Sequence, residues 1–139
     1  MTRNHFRLVL LAAALSVATP AGAAAVSPTV RLTIAHVARH CHVWRTSTRT
    51  IGASTKIKVV RGMRLVIRSD CPMDFDYAQT RGPKLALGNP RTFAGGSRVI
   101  VFRKAGIYRL TATNVQTPEE RGLVTLGEAN TLTLTVVVK

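Results

Sequence analysis

The strongest constraint in this sequence is a two-residue beat. Thr131 to Val138 reads TLTLTVVV, with Leu132, Leu134, Val136 and Val138 on one side and threonines largely on the other. Strict alternation of this kind suits a pleated strand with one buried face and cannot form the apolar stripe of a helix. Val99 to Asn114, VIVFRKAGIYRLTATN, repeats the beat twice around a corner at Arg103 to Gly106. Before the corner, Val99 and Val101 point one way and Ile100 and Phe102 the other, so this strand is expected to be buried on both faces. After it, Tyr108 and Leu110 alternate with Arg109 and Thr111, the mark of a half-buried strand.

The same beat recurs along the chain. In Thr29 to Val37, Val30, Leu32, Ile34 and His36 share a face, which puts His36 at the inner or rim end of an apolar row. Ala38 to Thr50 breaks the period and reads as a short strand or turn followed by a loop. Ser54 to Val60 directs Ile57 and Val59 inward and Lys56 and Lys58 outward. Met63 to Arg68 directs Met63, Leu65 and Ile67 to one face. Phe75 and Tyr77 mark a short inward-facing strand, and Lys84 to Leu87 is expected to form another. No stretch after the N-terminus has a helical period. Seven to eight short strands at intervals of about ten residues argue an all-β fold, a Greek-key β-sandwich.

The N-terminus has a different character. Arg3 and Arg7 precede the apolar run LVLLAAALSV, Leu8 to Val17, which is short for a membrane span. Small residues follow, offering cleavage after Ala23 or Ala25. This is the pattern of a secretory signal peptide over residues 1–25, leaving one domain over 26–139 that is exported to the periplasm or beyond, with no membrane span after cleavage. Removing Arg3 and Arg7 from the 20 Lys and Arg leaves 18 against 6 acids, a net charge of +12. Such a field attracts an anionic envelope component or an acidic protein. The cations alternate along strands, and aromatic residues are 5% of the chain, so nothing argues specific nucleic-acid binding. Cys41 and Cys71 are expected to form a disulfide in an oxidising compartment, stabilising by about 3–4 kcal/mol on the chain-entropy estimate; a thiolate metal ligand is the alternative.

Several of these features together are similar to the cupredoxin family: Gly62 before MRLVIR, the polar Ser69-Asp70 connection, the Gly95-Gly96-Ser97 turn, VIVF, the Phe102-x-x-x-Gly106-x-Tyr108 corner and the terminal TLTLTVVV. The resemblance covers roughly residues 54–139 and implies a small copper-protein sandwich. It also implies a thiolate four residues after the corner tyrosine, where this chain has Ala112. The first imidazole falls nearest Phe75, and no His or Met follows Met73. A type 1 copper centre needs a thiolate and two imidazoles, so the resemblance implies a cupredoxin-like fold without its standard site.

The residues left for chemistry lie early. His36, His40 and His42 with Met63 and Met73 form a soft set suited to copper(I); alternatively His40 and His42 flank a surface cysteine and His36 ends a strand. Trp44 is expected to pack over the Cys41–Cys71 disulfide, against an alternative as an exposed partner anchor. Asp74 and Asp76 are more simply ion-pair partners than a catalytic pair, and no nucleophile elbow, phosphate loop or HExxH occurs. The expected function is therefore a non-catalytic, exported binding or scaffold module that needs no cofactor, with copper binding at the early histidines as the alternative.

Overall fold

The computed structural model describes residues 27–37, 40–115 and 131–139, with backbone only for Val37, His40 and Cys41. The expected signal segment lies outside the described residues. Within them the protein is all-β, with ten strands: β1 Thr29–Val37, β2 His40–Arg45, β3 Thr50–Gly52, β4 Ser54–Val59, β5 Arg64–Ser69, β6 Phe75–Arg81, β7 Arg91–Thr92, β8 Ser97–Val101, β9 Gly106–Asn114 and β10 Thr131–Val138. They form two five-stranded sheets in the orders β3-β2-β1-β5-β8 and β4-β10-β9-β6-β7. β1 runs parallel to β5 and β10 parallel to β4; the other pairs are antiparallel.

The alternation decides which face is core. Leu132, Leu134 and Val136 are fully buried, as are Leu32, Ile34, Leu65, Ile67 and Phe102. These branched and aromatic side chains interdigitate between the sheets, the usual driving force for a sandwich. Trp44 is 1% exposed and belongs to this core, so it is packed and not an exposed anchor. Its indole N–H donates to the Thr133 carbonyl at 3.0 Å, tying β2 of one sheet to β10 of the other.

β2 is the short strand read after Ala38, and the loop that follows ends at the short β3. Three local expectations change. Lys84 to Leu87 forms no strand. His36 does not share the buried face of Ile34; a register irregularity between Ala35 and Val37 turns it outward, and it is exposed. Most consequentially, β8 is not buried on both faces. It is the last strand of its sheet, and Val99 and Val101 are 47% and 37% exposed.

The inward side of β8 carries Arg98 between the sheets. Its Nε donates to Thr92 Oγ1 at 3.1 Å, Nη1 to the Leu87 carbonyl at 2.8 Å, and Nη2 to the carbonyls of Asn89 and Arg91. The guanidinium also lies 4.7 Å from the centre of the Tyr77 ring. Burial pulls the Arg98 pKa down and pushes the Tyr77 phenol up, the nearby Arg98 charge partly opposing the latter. Thr92 lies close to Tyr77 and its hydroxyl accepts from Arg98; among the described residues the buried Tyr77 hydroxyl has no hydrogen-bond partner.

Two glycines shape the neighbouring corner. A Cβ on Gly82 would sit 2.5 Å from the Ile107 carbonyl oxygen, and one on Gly106 would meet the Pro83 ring at 3.1 Å. Both also have positive φ, 103° and 146°. Tyr108 closes the corner by donating to the Lys104 carbonyl at 2.7 Å while its ring meets Phe102 edge-on.

Arg98→Met keeps the apolar stem and strands three carbonyls, so it should cost about 2–4 kcal/mol in urea unfolding. Tyr77→Phe removes a buried hydroxyl without a partner and should change stability by less than about 1 kcal/mol, or raise it. Equal losses in the two variants would contradict this account of the Arg98 cluster.

Candidate functional site

The candidate metal residues divide between locations. β2 continues the inward row of Trp44 two residues earlier, so His42 also points into the sandwich and is 1% exposed. Its Nε2 lies 3.4 Å from Met73 Sδ, and its ring stands edge-on to Phe75 with centroids 5.2 Å apart. Met73 arrives from the connection between β5 and β6. That connection is fixed at both ends: Asp70 N–H donates to the Ile34 carbonyl and Val115 N–H to the Asp74 carbonyl. A nitrogen donor and a thioether are thus brought together at one end of the sandwich.

Met63 and His36 are not gathered there. Met63 lies at the opposite end of β5, where its sulfur accepts the Val60 N–H at 3.1 Å. His36 is on the outer surface. The side chains of His40 and Cys41 lie outside the described residues, and the expected Cys41–Cys71 bridge lies there with them. Cys71 itself is buried. Among the described residues no group of three or more His, Cys, Asp and Glu side chains could hold a metal ion. Two donors that the structure does bring together, the His42 imidazole and the Met73 thioether, are ones a soft cation accepts.

The position where the resemblance puts a thiolate belongs to the core. Ala112 is 1% exposed and pairs with Tyr77 on one side and Leu132 on the other. Its methyl offers no metal donor. Two residues on, the buried Asn114 Oδ1 has no hydrogen-bond partner among the described residues, and Asn114 pairs with Phe75 across the strands. The local signal for this end of the molecule was Met73, which sequence reading grouped with the histidines; nothing in the pattern marked Asn114.

The outer face of the first sheet carries one set of arginines, and the second sheet carries Lys56, Lys58, Arg81 and Arg109. Registers place Thr29 beside Arg64, Arg31 beside Val66, and Thr33 between Arg45 and Arg68. Four arginines thus stand on three neighbouring strands, staggered by about two residues, or roughly 8 Å, between β1 and β5. Asp70 pairs with Arg45 at 2.8 Å and Arg68 at 2.9 Å. Among the described residues, Arg31 and Arg64 have no carboxylate partner. On the second sheet Asp76 is paired with Arg91, whose hydrogen bond holds the Asp76 carboxyl below its ordinary range. Asp74 accepts the Ala94 N–H at 3.0 Å.

No protein-family model matches the chain, and no curated protein matches it. Solved structures similar to it include a copper(I) form of a variant amicyanin, at 15% identity and TM-score 0.43, with 80% of this chain and 82% of that one covered. A purple cupredoxin from Nitrosopumilus maritimus is similar at 14% identity and TM-score 0.43, over 76% and 97% of the two chains. A multi-copper oxidase from Pseudomonas thermotolerans is similar at 13% and TM-score 0.49, over 84% of this chain and 30% of that one. The likeness concerns the fold alone and sets no correspondence between ligands.

The His42–Met73 contact has a direct spectroscopic consequence. Met73→Leu should move the His42 ring resonances in an NMR spectrum while leaving those of His36 in place. Unchanged His42 resonances would show that the two side chains do not meet.

Proposed function

We propose that this protein is an exported, non-catalytic binding module that engages an acidic partner in the cell envelope. The arginine-bearing face of the first sheet is the observation that carries this reading. Two of its four guanidiniums are held by Asp70, and Arg31 and Arg64 remain for an outside anion. A rigid sheet fixes their spacing, so little ordering is needed on contact. The net charge of +14 for the whole chain draws such a partner from a distance. The non-catalytic part of the reading is supported by the roles of Asp70, Asp74 and Asp76, each already engaged by an arginine or a backbone N–H. Export is supported by the signal-like N-terminus, and the absence of a type 1 copper centre by Ala112 in the core.

Poly-glutamate is a suitable probe. Its binding, followed by calorimetry, should weaken at least about tenfold between low salt and roughly 0.5 M salt. The double variant Arg31→Ser, Arg64→Ser should weaken it further at low salt. Binding that ignores both salt and this variant would sink the reading.

A second reading, copper(I) binding, is favoured by the 3.4 Å approach of His42 Nε2 and Met73 Sδ. Imidazole and thioether are donors that copper(I) accepts, and burial would restrict access by water and competing ions. A copper(I) titration should then show a site that His42→Ala and Met73→Leu each weaken and that His36→Ala and Met63→Leu leave alone. Equal affinity in all four variants would remove copper from consideration at this pair.

A further inference from the structure

The four edges of the two sheets are not treated alike. β3 has three residues and β7 two, each too short to template another strand. β4 is longer but presents the exposed Lys56 and Lys58. Short strands and outward lysines are the usual protections of a sheet edge. β8 has neither. Its five residues pair with β5 in unbroken register, and its outward side chains are Ser97, Val99 and Val101. Among the described residues no strand pairs with its outer side.

Beside this edge lies a cleft of about 360 Å³, walled by Lys84 and Leu85 on one side, by Val99 and Val101 on the other, and by Arg103 and Lys104 at the corner. Its walls are held in place. The Gln79 amide donates to the carbonyls of Arg81, Gly82 and Pro83, and its oxygen accepts the Leu85 N–H at 2.9 Å. Gly82 and Pro83 press directly on the corner backbone at Gly106 and Ile107. The Tyr108 hydroxyl fixes Lys104. The cleft is thus preformed, apolar at its centre and cationic at its rim, and among the described residues no carboxylate pairs with Lys84, Arg103 or Lys104.

We propose that β8 is a docking edge for an extended acidic segment of a partner protein, which adds as a further strand to the first sheet. Its main chain pairs with β8, its small apolar side chains cover Val99 and Val101, and its carboxylates meet Lys84, Arg103 and Lys104. This mode of recognition draws affinity from main-chain hydrogen bonds and specificity from alternate side chains. It rests on the reading of the protein as a module for an acidic partner and names where and in what conformation that partner binds. Charge selects against a second copy as the occupant, because pairing two β8 edges would bring two such cationic rims together.

A synthetic peptide of alternating valine and glutamate tests this, with a valine–lysine peptide and poly-glutamate alongside. The valine–glutamate peptide should bind, and hydrogen exchange at the amides of Ser97–Val101 should slow by about tenfold or more. Val99→Glu, on the solvent side of β8, should abolish that protection while a thermal melt shows the fold intact. The triple variant Lys84→Glu, Arg103→Glu, Lys104→Glu should weaken the acidic peptide at least about tenfold and favour the lysine peptide instead. Poly-glutamate binding without any protection of β8 by the peptide would overturn the docking edge and leave the binding-module reading standing; no binding of either probe would overturn both. The proposal also fails if the β8 amides facing away from β5 are already protected in the protein alone, which would mean its own chain covers the edge. Concentration-dependent dimers that Val99→Glu dissolves would likewise overturn it in favour of a second copy.

Discussion

The arrangement of this sandwich depends on a charge kept inside it. Two stacked sheets leave two long open sides, and each is closed by a polar group reaching across. On the side of β2 and β10 the reach is short, the Trp44 indole to the Thr133 carbonyl. On the side of β8 and β7 it is the Arg98 guanidinium, which spreads its donors over the chain from Leu87 to Thr92. Burying an unpaired cation is costly. Here carbonyl oxygens replace its water, and the face of Tyr77 adds a cation–π contact. The benefit is local order: a segment without a long strand of its own is held against both sheets.

The same arginine sets the character of β8. Alternation allows one choice per strand, because a one-residue slip exchanges its faces. With Arg98, Ile100 and Phe102 turned inward, Val99 and Val101 must face out. Large apolar residues lie on both sides of the Phe102 end, so composition alone does not choose. The choice follows from what the opposite sheet offers: carbonyls and a tyrosine ring for Arg98, and the corner aromatic Tyr108 for Phe102.

Sequence reading was strongest where one side of a strand is polar. β4, β5, β9 and β10 follow from Lys56 and Lys58, Arg64 and Arg68, Arg109, and the threonines of TLTLTVVV. It was weakest where burial depends on a neighbour distant in sequence. Whether β8 lies inside its sheet or at the edge is decided by pairing with β5 alone, which no local pattern encodes. His36 faces outward against its alternation because a single irregularity in β1 lies between Ala35 and Val37. Trp44 reads as packed from the burial tendency of a large aromatic side chain, and its 1% exposure agrees. Of the metal candidates, His42 and Met73 meet because β2 and the connection after β5 converge; their separation along the chain gave no sign of it.

An exposed, regular edge strand with outward valines ordinarily invites aggregation, so its retention needs a compensating feature. The lysines that guard β4 lie within the strand, where they would hinder any incoming chain. Around β8 the cations stand to the side, at Lys84, Arg103 and Lys104. A flanking charge does not block the ladder itself; it filters by sign. On the proposed docking reading, other copies of this basic chain would be repelled before their edges meet, and an acidic strand would be drawn in and oriented. The adjoining face with Arg31 and Arg64 extends the same field across the sheet. On that reading one distribution of charge would both keep copies apart and select the partner, beside an edge that no strand pairs among the described residues.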